Sequence, residues 1–179
     1  PVVNLLSRPH RSLRSWLSLL QLAVMLLAIK IFASILMNYP SYLPPDFGSD
    51  FLLGRGEYFW HGYHLAFYTH VLTGPLSLLM GFGLVWSGRR LASLPPSLRR
   101  WHRRLGKLQI GVVLLGVAPS GAVMAAYADG PVAQSGLLVL ALLTGLSAAM
   151  GWFAVARRGD IDMHRVWMFR CTLLLSSTL

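Results

Sequence analysis

The sequence predicts an all-α integral membrane protein, a bundle of five transmembrane helices of which the last is truncated. Three observations predict this class. Hydrophobic residues make up 55% of the chain and charged residues only 12%, about half the charged fraction of an average soluble domain. Apolar segments of about 20 residues, the length that crosses a hydrocarbon core of about 30 Å, recur along the chain. Positive charges fall into alternate joints between these segments.

The first predicted crossing is 16–37, WLSLLQLAVMLLAIKIFASILM, which contains a single charge, Lys30. It is too long, and too poor in small residues at its end, to be a signal peptide that is removed. The loop from 38 to 60 follows. Its stretch NYPSYLPPDFGSD is rich in Pro, Asp and Gly, which favours turns over a regular element.

The second and third predicted crossings are 61–86 and 107–127. The second contains three histidines and no formal charge, and the third has no charge after its first residue. Proline lies inside both segments, at Pro75 and Pro119, and is expected to kink each helix. The stretch SLPPSLRRWHRRLG breaks at a Pro-Pro pair and restarts at Ser97, which predicts that the third helix begins before it enters the bilayer.

The fourth and fifth predicted crossings are 132–156 and 166–179, and the fifth is still apolar at its last residue, so we expect it to continue as a helix. Without a convincing internal repeat, 1–179 is interpreted as a single transmembrane domain. Small residues spaced four apart let helix backbones approach closely, although they also leave room for a flat cofactor or a partner helix. They are the pairs Gly116/Ser120, Gly121/Ala125 and Gly145/Ala149.

The distribution of Lys and Arg predicts the orientation, because short cytoplasmic loops are enriched in positive charge. The amino terminus and the joints 89–107 and 157–165 are basic, whereas the loop 38–60 has three acidic residues and only Arg55. We therefore expect a multi-pass protein of the cell's inner membrane with a cytoplasmic amino terminus. Its basic cytoplasmic face is expected to contact anionic lipid headgroups.

Several function classes are excluded or disfavoured by the motifs. The basic surplus needs no nucleic acid, since zinc-finger spacing and aromatic-plus-basic platforms are missing. The single cysteine, Cys171, cannot form an internal disulfide or an iron-sulfur site. There is no P-loop, dinucleotide fingerprint, nucleophile elbow or H-E-x-x-H motif. Soluble enzyme chemistry is disfavoured, and whether the protein is an enzyme stays open.

Ionisable residues inside a membrane require a partner, so the histidines are candidates for function. His61 and His64 lie at the outer boundary of the second crossing, where hydrogen-bonded interfacial histidines are the simpler interpretation. His70 lies about 15 Å below the interface marked by Trp60, at 1.5 Å per helical residue, which puts it near the midplane. It is interpreted as either a site residue or a structural hydrogen bond.

His102 and His164 are each at the cytoplasmic start of a crossing, the third and the fifth. Imidazoles from two helices can ligate a b-type haem from opposite faces, and the adjacent Arg103 and Arg165 can meet its propionates. Two alternatives stay open. One is a quinone, metal or other anionic ligand, and the other is a structural collar in which aspartates pair with the basic joint and the histidines bond to backbone carbonyls.

The stretch GDIDMHRVWMFR, 159–170, also contains Arg170. His164, Trp167 and Arg170 are spaced three apart and therefore share one helix side. We expect Arg170 to point into the bundle, with either Asp162 or a bound anion as its partner, and His102 to approach His164 from the third helix.

Three motifs, THVLTGPLSLLMGF, RRWHRRLGKLQI and RRGDIDMHRVWMFR, resemble a family of bacterial predicted membrane proteins catalogued as a domain of unknown function. In that family H-R-x-L-G precedes one helix and G-D-x-x-x-H-R-x-W-M-x-R precedes another. The likeness covers about 110 residues from His64 onward. The positions that carry the pattern are His70, His102, Arg103, Leu105, Gly106, Gly159, Asp160, His164, Arg165, Trp167, Met168 and Arg170.

A weaker resemblance is to haem-binding bundles of the cytochrome b561 kind, in which a histidine followed by Leu-Gly opens a crossing. Those proteins place histidine pairs on both membrane sides, and His70 has no obvious partner here, so one haem at most is expected. The sequence thus favours a membrane redox protein with a b-type haem or quinone site at its cytoplasmic side. The alternative is a non-catalytic structural or assembly subunit of a larger membrane complex.

Overall fold

The structure is a computed structural model that describes residues 26, 29–49 and 51–177. The chain divides into two compact units, Pro1–Asp46 and Phe47–Leu179. In the first unit, residues 29–38 form a helix, α1, which a 3-10 turn at Tyr39–Ser41 follows. The loop after it consists of turns and one isolated bridge, as its Pro-rich sequence predicts. Most of the predicted first crossing, 16–37, lies outside the described residues.

The first helix of the second unit is α2, Gly56–Gly88. Its regular part is His64–Gly88, and a π-helical turn at Phe59–Tyr63 precedes it. The backbone leaves helical geometry at His61 and Gly62. Because Gly62 has φ +108, only a residue without a Cβ adopts this conformation readily.

Helix α3, Pro96–Ala125, begins with proline in its first turn, where the missing N–H is not needed. A π-helical turn at Val113–Val117 interrupts it just before Pro119. Since Pro119 has no N–H for the carbonyl of Leu115, the regular bonding pattern cannot continue through this point. The predicted distortion of this helix therefore takes the form of a wider turn.

Helices α4, Pro131–Arg157, and α5, Ile161–Ser177, pack against each other along their lengths. Only three residues, 158–160, join them. Gly159 has φ +63, a left-handed conformation that ends a helix at low steric cost. The short joint brings the first turns of α5 alongside the last turns of α4.

The hydrophobic core draws on the four helices of the second unit. Its buried cluster consists of Leu78, Val113, Val117, Ala148, Cys171 and Leu175. Close backbone approach accompanies it, because a Cβ on Gly116 would lie 3.0 Å from Thr73 and one on Gly145 would lie 3.2 Å from the Cβ of Ala118. The predicted packing role of these two glycines is confirmed.

The all-helical membrane class is confirmed for the described residues, which form no strand. Among them, three helices are long and apolar enough to cross a membrane, namely α2, α3 and α4. They overlap the second, third and fourth predicted crossings. Helices α2 and α4 extend beyond both predicted ends, whereas α3 begins earlier than predicted and ends at Ala125, two residues before the predicted end. Helix α5 has 17 described residues, slightly short of the roughly 20 that a crossing needs.

Candidate functional site

His102 lies on the second turn of α3 and is half-buried against the end of α2. Its Nδ1 is 2.9 Å from the hydroxyl oxygen of Ser87, whose own proton is directed to the carbonyl of Leu84 at 3.2 Å. The hydroxyl can donate its one proton either to Leu84 or to Nδ1, so this contact orients the ring of His102 without setting its tautomer. The ring also lies against Gly88, where a Cβ would be 3.4 Å from Cε1.

His164 lies on the first turn of α5 and is also half-buried. Its Nδ1 is 2.8 Å from the carbonyl oxygen of Gly151 on α4. A carbonyl only accepts, so Nδ1 must carry the proton. The helices touch here, because a Cβ on Gly151 would lie 2.8 Å from the sulfur of Met168.

The ring of His164 has its proton on Nδ1, so its neutral form has the lone pair on Nε2. His102 is near enough to interact with it: burial lowers the pKa of His102, and the charge of His164 lowers it further. The site thus brings together two imidazoles from two helices, each held through Nδ1.

The position of His164 follows from how α5 begins. Asp160 caps the helix, since its Oδ1 accepts from the backbone N–H of Met163 at 2.9 Å. Its own N–H donates to the carbonyl of Ala154 at 3.0 Å, which fastens the joint to α4. The carboxylate at the positive end of the helix agrees with the sequence-based expectation. This cap fixes the first turn of α5 and directs His164 across to Gly151.

The arginines at this end of the bundle are exposed. Arg165 pairs with Asp162 at 3.4 Å. Arg103 lies on the exposed side of α3. The prediction that Arg170 points inward with Asp162 as its partner is wrong: Arg170 is exposed and its guanidinium lies 4.8 Å from the ring centre of Trp167. The ring three residues earlier offers this cation a face, and the long side chain reaches outward along it.

His70 has a partner that the sequence did not indicate. Its Nδ1 is 3.0 Å from the hydroxyl oxygen of Ser120 on α3, and that hydroxyl is directed to the carbonyl of Gly116 at 2.6 Å. Ser120 can donate or accept in this contact, and the backbone of Val117 also hydrogen-bonds to the ring. A Cβ on Gly121 would be 3.2 Å from Cε1 of the ring. Because Ser87 lies 17 residues further along the same helix, about 25 Å at 1.5 Å per residue, His70 belongs to a separate place in the bundle.

His61 and His64 are bonded within their own helix. Their Nδ1 atoms lie 3.0 Å and 3.1 Å from the carbonyls of Glu57 and Phe59. The interpretation of both as hydrogen-bonded histidines is confirmed. By contrast, Ser87 and Gly151 were missed as partners, because a bond between helices has no local sequence signal. In the residues that the structure describes, no group of three or more His, Cys, Asp or Glu is placed to hold a metal ion.

Comparison with known proteins gives one match. Residues 67–178 match the family described as Predicted membrane protein (DUF2306). That range contains the three interior histidines and the joint between α4 and α5. No curated protein matches the chain, and no solved structure does.

Proposed function

The chain belongs to the DUF2306 family of predicted membrane proteins, and we propose that it is a membrane electron-transfer protein whose His102 and His164 bind a b-type haem through Nε2. The observation that carries the proposal is the anchoring of both rings through Nδ1: that of His164 donates to a carbonyl, and that of His102 is hydrogen-bonded to a hydroxyl. Histidines that bind metal through one ring nitrogen almost always donate from the other, which fixes the tautomer and raises the basicity of the ligand.

The residues present fit this cofactor. Axial ligation of haem iron needs two side chains, and neutral imidazoles from two helices supply them. Arg103 and Arg165 each follow a histidine and are exposed beside it, where they can pair with propionates. The surface ion pair of Arg165 with Asp162 would compete only weakly with pairing to a propionate, since such pairs contribute about 0–1 kcal/mol. When bound, a b-type haem supplies one-electron redox chemistry.

The sequence also predicts that Arg170 and His70 bind a cofactor, and their positions lead to different conclusions. Arg170, over Trp167 and exposed, is left out of the haem site. His70 stays a prediction as a cofactor-binding residue, and Nε2 is the atom that would bind, because Nδ1 is engaged with Ser120.

We further propose five crossings in the inner membrane, with the amino terminus and the histidine pair on the cytoplasmic side. The basic joints support this orientation through the enrichment of Lys and Arg in short cytoplasmic loops. The exposed arginines and lysine of residues 99–107, in the first turns of α3, can contact anionic lipid headgroups. Cysteine labelling tests the orientation: reagent added outside should reach Ser49→Cys and not Ser97→Cys.

The haem proposal is tested by absorption spectroscopy of the protein purified in detergent and reconstituted with haemin. A bis-histidine haem gives a sharp reduced-minus-oxidised signal that His102→Ala and His164→Ala should abolish. His61→Ala is the matched control, since that ring is also bonded to a carbonyl through Nδ1 but is exposed on α2. No haem signal in the wild-type protein would contradict the proposal.

A second variant separates ligation from structure. In His164→Asn the amide Nδ2 occupies nearly the place of imidazole Nδ1 and can still donate to Gly151, while nothing replaces Nε2. We expect the asparagine variant to keep the thermal stability of the fold and to lose the haem signal. If neither the wild-type protein nor His164→Asn binds haem, the quinone that is extracted with the protein is measured next. Quinone in the wild-type protein that is lost in His102→Ala would identify a quinone site. A protein with neither haem nor quinone would favour the non-catalytic subunit.

A further inference from the structure

A buried polar cluster lies deeper in the bundle than the histidine pair. It consists of Ser77 on α2, Gln109 on α3 and Thr172 on α5, with relative exposures of 0%, 0% and 5%. Gln109 follows His102 by seven residues and Thr172 follows His164 by eight, so both lie about two helical turns, or 10 Å, further in on the same helix sides. Leu78 and Val113, next to the cluster in sequence, belong to the hydrophobic core.

The side-chain amide of Gln109 has one group bonded and one group without a partner. Its Nε2 donates to the carbonyl oxygen of Ser77 at 2.8 Å, which fixes the orientation of the amide. Its Oε1 is buried and has no hydrogen-bond partner among the described residues. A buried acceptor left unbonded costs free energy, and most so where no bulk water reaches it.

The neighbouring hydroxyls of Thr172 and Ser77 are directed to other acceptors than Gln109 Oε1. Thr172 donates its proton to the carbonyl of Met168 at 2.9 Å, and Ser77 donates to that of Gly74 at 3.0 Å. Each hydroxyl oxygen nevertheless keeps lone pairs that accept. Gly81 lies at the point where the polar atoms converge, since a Cβ there would be 3.2 Å from Thr172 Oγ1 and 3.5 Å from Gln109 Nε2. With these hydroxyls directed elsewhere, Gln109 Oε1 is left without a donor among the described residues.

We propose that the cluster binds one buried water molecule, which donates one hydrogen to Gln109 Oε1 and the other to Thr172 Oγ1. Water is the smallest molecule with two donors, and buried waters in proteins make two to four such bonds. Gly81 has no side chain to crowd the polar atoms, whereas a Cβ at this position would lie only 3.2 Å from Thr172 Oγ1. The site requires only the protein chain, so it does not depend on haem binding, and it places a proton donor inside the bundle below the histidine pair.

The direct test is a wild-type structure at a resolution that shows ordered water. We expect a density peak within hydrogen-bond distance of both Gln109 Oε1 and Thr172 Oγ1. A direct bond between Thr172 and Gln109, or Gln109 Oε1 packed against carbon only, would overturn the proposal.

Thermal unfolding of variants tests the same site independently. Gln109→Met and Thr172→Val remove one polar partner each with little change in volume. The matched control is Thr144→Val, because Thr144 is equally buried and its hydroxyl donates to the carbonyl four residues earlier in its own helix. We expect both site variants to lower Tm more than the control does, and the double variant to lose less than the sum of the two. A higher Tm for Gln109→Met, as expected when an unsatisfied polar group is removed, or strictly additive losses would refute a shared water.

Discussion

Replacing Gly151 by alanine tests both the packing of α4 on α5 and the anchoring of His164. The new Cβ would lie 2.8 Å from the sulfur and 3.3 Å from Cγ of Met168, and 3.4 Å from Cβ of Trp167. The Cβ of Trp167 is at ordinary contact distance, so the strain falls on the side chain of Met168, whose Cγ and sulfur must both shift. They must shift at the point where Gly151 accepts the hydrogen bond of His164, which the substitution therefore weakens.

The expected magnitude follows from three terms. Overpacking of a close contact costs about 1–3 kcal/mol, and weakening the bond to His164 costs about 1 kcal/mol more. Higher helix propensity of alanine returns about 1 kcal/mol. The net loss is thus about 1–3 kcal/mol, which corresponds to a Tm decrease of roughly 2–4 °C per kcal/mol in a chain of this size.

Thermal unfolding in detergent, followed by circular dichroism, measures this effect. Gly136→Ala is the matched control: it lies on the same helix, is exposed, and its added Cβ would have no neighbour within 4 Å. We expect the control to match or exceed the wild-type Tm and Gly151→Ala to fall below it. Equal Tm values for the two variants would refute the close approach of α4 and α5.

Three further outcomes are expected. Gly121→Ala should lower Tm, because the added Cβ would lie 3.2 Å from the ring of His70. Gly111→Ala on the same helix should not, because its added Cβ would have no neighbour within 4 Å. Similar Tm values for the two variants would argue against the close packing of the His70 ring on Gly121. Asp160→Ala removes the cap of α5 and should cost about 1 kcal/mol in chemical denaturation, a result that an unchanged midpoint would contradict. Arg165→Ala breaks only an exposed ion pair and should change stability by less than about 1 kcal/mol; a larger loss would mean that the pair is more than a surface contact.

The helices and the location of the histidine pair were accessible from sequence because each depends on local patterns. The length of the apolar segments predicts α2, α3 and α4. The basic joints predict that His102 and His164 lie in the first turns of their helices, at the same end of the bundle. The start of α2 was less predictable. The segment before His61 contains Gly56 and Glu57, and the sequence predicts that it belongs to the loop. In the structure it forms a short helical turn, which a kink at Gly62 joins to the longer helix.

Contacts between helices could not be read from the sequence. Ser120 is 50 residues from His70, and only the folded bundle brings them together. Gln109 stands two residues after Lys107 in a stretch that looks interfacial, yet it is fully buried. Arg170 shows the opposite error. Six residues separate it from His164, which is about 120° around the helix at 3.6 residues per turn, and its guanidinium lies over Trp167 on the exposed side.

A hydrogen bond from Nδ1 does not by itself separate a structural histidine from a ligand. His61, His64 and His164 all have Nδ1 at a backbone carbonyl, which is also what the structural collar predicts for His164. His102 and His164 differ from the others because they come from two helices, α3 and α5, and interact electrostatically: burial lowers the pKa of His102, and the charge of His164 lowers it further. Axial haem ligation takes two imidazoles, so the haem proposal predicts that His102→Ala and His164→Ala each remove the whole haem signal. A collar predicts instead a lower Tm in both variants and no haem signal in the wild-type protein.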